Sequence, residues 1–192
     1  MDSTLFFGQS PQDKNSEGHK WKGKSGIYCI EQEALSKKLG KRLFKVGYAR
    51  NSIYTRMSDY RSAYGGIPFK IFCLIQIPAG VFGKRAGYTL LNEQRLHKQL
   101  SEDNKGAGAN EWYFDLNHIM DVIYSLYIEL VGTIDSAKKW EVYFYDEKRN
   151  YNILKIIGEK EIKSKLYDGL NYGERDLRNA KQKYGRKAIH VK

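Results

Sequence analysis

The chain has 192 residues, room for one domain and a small appendage, and its 41% hydrophobic content excludes general disorder. Lys and Arg number 33 against 22 Asp and Glu, and the resulting +11 makes nucleic acid the leading partner class, because such an excess neutralises phosphates and releases counterions. No apolar run approaches the ~18 residues that span a bilayer, and the N-terminal residues lack the basic and apolar regions of a secretory signal. A soluble, intracellular protein is therefore expected, cytoplasmic or, in a eukaryotic or viral setting, nuclear.

Residues 1–24 are polar, with Pro, Gly, Ser and Lys, and read as a poorly ordered lead-in. Gly26–Ile30 and Leu43–Gly47 read as strands, and the Gly40 segment between them as the turn of an antiparallel pair. From Asn51, a potential N-cap, Ile53, Met57, Tyr60 and Tyr64 recur at helical spacing until Gly65-Gly66 and Pro68 end the pattern. A third strand follows over Phe69–Ile77, closed by Pro78, and then a helix over roughly 85–102. A flexible loop over 104–110 and a short aromatic segment, Glu111–Phe114, lead to a helix over 116–133 with Leu116, Ile119, Ile123, Leu126 and Leu130 on one face. Trp140–Tyr145 restarts a strand pattern, followed by charged helical stretches and a basic tail. This last part has too little apolar content for its own core and is expected to pack onto the first. Cys29 and Cys73 each lie inside an apolar run and read as buried thiols in a reducing compartment.

The positive charge is clustered. Residues 36–62 carry eight basic side chains and one acid, residues 171–192 carry seven and two, whereas 101–134 holds one Lys and six acids. Isolated basic runs are usually solvated faces, but two in so short a chain favour a nucleic-acid surface. Lys41, Arg42, Arg50 and Arg61 in the first cluster, and Arg175, Arg178, Lys181 and Arg186 in the second, are the expected DNA contacts.

A carboxylate in an apolar stripe points further. At about 100° per residue, Ala86, Leu90, Glu93, His97 and Leu100 share one helical face. Glu93 thus sits where a core is expected and needs a cation: an Arg, a Lys or a metal ion. His97, one turn on, is a second ligand or a hydrogen-bond partner. The absence of a Cys/His cluster in the sequence favours a hard cation over zinc.

Gly26-Ile27-Tyr28, followed by Lys45-Val46-Gly47, resembles the signature of the GIY-YIG nucleases. Arg56 and Glu93 follow in that family's order, and Asn110-Glu111-Trp112-Tyr113 is similar to its terminal motif, in which an Asn or a Glu-Trp-aromatic triplet closes the site. The resemblance covers about residues 24–118. It departs at the second signature tyrosine, here Lys45, as in some restriction endonucleases and phage-type domains of that family. It implies an α+β fold, a small, mainly antiparallel three-stranded sheet flanked by helices. The nuclease domain would span 25–135, between the lead-in and a basic, DNA-contacting α/β extension over 136–192.

The implied activity is metal-dependent hydrolysis of phosphodiester bonds in double-stranded DNA, by a dimer if the cut is palindromic. Tyr28 would act as general base, its phenol lowered by Lys45 if both point to one face of the sheet. Arg56 would bind the non-bridging phosphate oxygens, Tyr48 would stand near the attacking water, and Glu93 would hold one Mg²⁺ or Mn²⁺. His97, Asn110 and Glu111 would support the site. A non-catalytic DNA-binding module on the same scaffold is the alternative.

Overall fold

The computed structural model describes residues 1–8, 13–81, 93–102, 111–146 and 151–153. Its centre is β1 (Gly26–Glu31), buried along its whole length between β2 (Phe44–Ala49) and β3 (Lys70–Gln76), both antiparallel to it. Strands covered on both faces read as continuous apolar runs rather than alternating ones, which is how β1 and β3 look in the sequence. Between β1 and β2 lies α2 (Glu33–Leu39) rather than a simple turn. Gln32 caps its start, and Gly40 ends it at φ +67°, a left-handed conformation that glycine adopts without a Cβ penalty. The Gly40 signal was thus a helix stop. α3 (Ile53–Ala63) is capped by Ser52, one residue later than Asn51, with Ile53 and Met57 buried.

The sheet is wider than three strands. β4 (Trp112–Tyr113) extends it beyond β2, and β5 (Val142–Asp146) and β6 (Tyr151–Ile153) beyond β3, giving the order β4-β2-β1-β3-β5-β6. The described start of the C-terminal segment therefore joins the same sheet, satisfying the free edge of β3 through pairs such as Cys73 with Phe144. The fold remains α+β, an antiparallel sheet flanked by helices.

Two cores lie on opposite faces. α4 (Glu93–Glu102) and α5 (Leu116–Thr133) supply Leu96, Leu100, Ile119, Ile123, Leu126 and Leu130 to one, over Ile27, Cys29, Val46 and Tyr48. The other gathers Tyr28, Ile30, Ile53, Met57, Ile71 and Leu74 with Phe6, Phe7 and Trp21. The N-terminal segment is consequently structured where it is described: α1 (Ser3–Phe7), capped by Asp2, and a 3₁₀ turn over Glu17–Trp21 cover α3 and the sheet. Its polar composition concealed three large rings whose burial outweighs the ordering entropy of a short segment. Cys29 and Cys73 are buried free thiols facing one another across β1 and β3. Among the described residues no helix is long and apolar enough to cross a membrane.

Candidate active site

Side chains alternate along a strand, so register decides which of them meet. Tyr28 pairs with Gly47 and Ile30 with Lys45, which puts Tyr28 and Lys45 on one face of the sheet. The Tyr28 ring lies across Gly47: a Cβ there would stand 2.7 Å from the ring carbon that bears the hydroxyl. This is the physical need for glycine at the end of Lys45-Val46-Gly47. Tyr28 is 3% exposed, and its hydroxyl shares a 2.6 Å hydrogen bond with the hydroxyl of Tyr60, which α3 brings over the strand. Arg56, one turn earlier on α3, is exposed, with its charge close enough to act on Tyr28.

Lys45 is paired with a carboxylate rather than with Tyr28. Its ammonium donates to the Glu111 carboxylate at 2.7 Å and lies 5.8 Å from the centre of the Tyr60 ring and 5.0 Å from that of Trp112. Burial pushes the Tyr28 phenol well above its ordinary value, and the adjoining Tyr60 hydroxyl adds to this; Arg56 acts in the lowering direction, Glu111 in the raising one. Tyr28 is therefore a protonated phenol at neutral pH in the free protein. Glu111 reaches Lys45 from a left-handed backbone conformation, φ +76°, and its carbonyl accepts from the Val46 amide. Such a conformation in a non-glycine residue costs about 1–2 kcal/mol and is held by its surroundings.

Two other expected site residues, Tyr48 and His97, lie away from Tyr28. Tyr48 faces the opposite side of the sheet, 8% exposed, and donates to the Ile77 carbonyl; one step along a strand reverses the face, so it has no place beside Tyr28. His97 is on that opposite side too, its Nδ1 2.7 Å from the Tyr113 hydroxyl and its ring stacked on Tyr113. Glu93 begins α4, but its side chain lies outside the described residues, as do Asn110, Arg175, Arg178, Lys181 and Arg186. Among the described residues no three His, Cys, Asp or Glu side chains cluster as a metal centre. The donors next to Tyr28 and Tyr60 are hard oxygens, with Glu111 the nearby carboxylate, a chemistry that suits Mg²⁺ or Mn²⁺ better than zinc.

The first basic cluster also divides. Arg50 is exposed after β2. The Lys41 ammonium lies 3.9 Å from the centre of the Phe114 ring. Arg61 points toward the N-terminal segment, its guanidinium 5.2 Å from the centre of the Phe7 ring. Arg42 is committed to structure: Nε and Nη2 donate to Glu31, whose side chain is 4% exposed, with the ion pair closing at 2.6 Å. Removing one partner of such a pair strands a buried charge. Arg42→Ala should lower unfolding free energy by about 2–3 kcal/mol, seen as a lower urea midpoint; an unchanged midpoint would remove the structural role.

Tyr60 is the site residue that the periodicity concealed. It belongs to the same stripe as Ile53 and Met57, and only its position four residues after Arg56 sets it apart from a core residue.

No curated protein matches the chain, and no solved structure does. A family model matches residues 25–131, from just before β1 to near the end of α5, and so includes the tyrosine pair, the Lys45–Glu111 ion pair and the helices on both faces. That domain is associated with nuclease-type domains in phage and bacteria, which suggests a nuclease or DNA-binding function. With more than half of its length inside that match, the chain belongs to the T5orf172 domain family.

Proposed function

We propose that the protein is a metal-dependent DNA endonuclease of the GIY-YIG type, with Tyr28 as its general base. The observation that carries this reading is a buried tyrosine hydroxyl held over Gly47, bonded to a second tyrosine and bordered by Arg56 and the Lys45–Glu111 pair. A core strand has no need of that polar constellation, and burying it without purpose would be unfavourable.

In this reading Tyr28 first releases its own proton to solvent by way of the partly exposed Tyr60 hydroxyl, and the phenolate Oη then takes one from the attacking water. Tyr60 positions Tyr28 Oη through the hydrogen bond between their hydroxyls. Arg56, exposed beside the pair, holds the non-bridging phosphate oxygens with its planar fork. Lys45, fixed by Glu111, keeps a positive charge on the same face for the approaching backbone. Glu93 would hold the Mg²⁺ or Mn²⁺ ion, which when bound supplies charge stabilisation at the phosphate.

Supercoiled plasmid incubated with the protein should be nicked or linearised with Mg²⁺ and left intact with EDTA, and Glu93→Gln should abolish the cutting. Tight, salt-sensitive binding without cleavage under any metal would instead establish a binding module. The raised phenol also fixes the sign of the pH dependence. The phenolate is the active form and is scarce at neutral pH, so its fraction grows tenfold per unit. At fixed metal and salt the cleavage rate should climb by about tenfold per unit between pH 7 and 9; a flat or falling profile would remove Tyr28 as the base.

A further inference from the structure

The edge of the sheet beside the tyrosine pair carries a feature that hydrolysis does not use. β4 is an outer strand, and Trp112 pairs with Lys45, so its indole stands on the face of Tyr28 and Tyr60. Trp112 and Phe114 are both partly exposed, although large aromatic rings normally gain by full burial. Each has an ammonium over it: Lys45 over Trp112 at 5.0 Å and Lys41 over Phe114 at 3.9 Å.

Partly exposed rings interleaved with lysines are what an unpaired nucleic-acid strand requires. Bases stack on the aromatic faces while the ammonium groups follow the phosphates. A closed duplex offers its phosphates to the lysines but keeps its base faces inside the stack, leaving the rings without a partner. The Lys41 ammonium over Phe114 can turn to a phosphate as a base replaces it, while Lys45, held by Glu111, keeps its charge beside Trp112.

We propose that Trp112 and Phe114, with Lys41 and Lys45, form a platform for an unpaired DNA strand immediately beside the cleavage site. On the nuclease reading, on which this rests, the preferred substrate is DNA with a single-stranded segment next to the cut phosphate, such as a flap, a bubble or a locally melted site.

Binding is measured in EDTA at fixed salt, so that it does not depend on cleavage. The probes are a fluorescein-labelled oligothymidylate and a blunt duplex of equal length, read by fluorescence anisotropy. Trp112→Ala and Phe114→Ala should each weaken oligothymidylate binding by about tenfold and duplex binding by less than about twofold, while Trp112→Phe stays within about threefold of the parent. Equal losses on both probes, or no loss on oligothymidylate, would overturn the platform. Circular dichroism checks each variant, and if Trp112→Ala does not fold, the Phe114→Ala and Trp112→Phe results decide. Wild-type plasmid cleavage with Mg²⁺ is scored separately. Cutting together with unselective binding losses overturns the platform alone, whereas selective losses without cutting support the platform and overturn the nuclease reading.

Discussion

Tyr28→Phe should reduce plasmid nicking by about 10³-fold while leaving the protein folded. The substitution keeps the ring that packs in the second core and removes only the oxygen bonded to Tyr60. Tyr60 is partly exposed and can bond to water instead, so the stability cost should stay near 1 kcal/mol. Tyr60→Phe should cost far less activity, about tenfold, because Tyr60 supports the base without taking the proton from water. Single-turnover cleavage of plasmid, with melting curves for both variants, separates the two roles. Nicking by Tyr28→Phe at the wild-type rate would exclude the phenol from the chemistry.

The two signature glycines should fail in different ways. Gly26 lies on β1 against β3, and a Cβ there would stand 2.8 Å from the Ile75 carbonyl carbon and closer still to its oxygen. Both atoms belong to backbones fixed by the sheet, so neither can yield without parting the strands. Gly26→Ala should therefore cost about 3 kcal/mol or more, read as a large drop in the urea midpoint. At Gly47 the obstacle is the far end of the Tyr28 side chain, which can move aside. Gly47→Ala should cost about 1 kcal/mol of stability but about 100-fold in cleavage, because a displacement near 1 Å takes the base out of line. Equal stability losses for the two variants would contradict this division, as would a fully active Gly47→Ala.

Much of this was legible along the chain. The three central strands, the α3 stripe and the 116–133 helix follow from apolar runs and helical periodicity, because those patterns report which residues must leave water. The order of the N-terminal segment is not legible along the chain, because Phe6, Phe7 and Trp21 are spaced too irregularly to show a period and their burial depends on a face supplied by α3 and β3. The outer strands that widen the expected three-stranded sheet are not legible, because β4 is two residues long and β5 pairs with a strand some seventy residues earlier, which no local pattern encodes.

The candidate site divides along the same line. Residue order alone brought Tyr28, Lys45, Arg56 and Glu111 into one hypothesis, since the motif is a matter of spacing. Register decided that Tyr48 belongs to the opposite core, because one step along a strand reverses its face. Tertiary contact decided that Lys45 answers to Glu111, that Tyr60 is the partner of Tyr28 and that burial raises the phenol the lysine was expected to lower. Composition and spacing, which are properties of the chain, determined the basic character, the central strands and the residues that could do chemistry. Charge pairing and desolvation depend on which groups meet across the sheet, so only the tertiary structure decides which of those residues are neighbours and that burial keeps the Tyr28 phenol protonated.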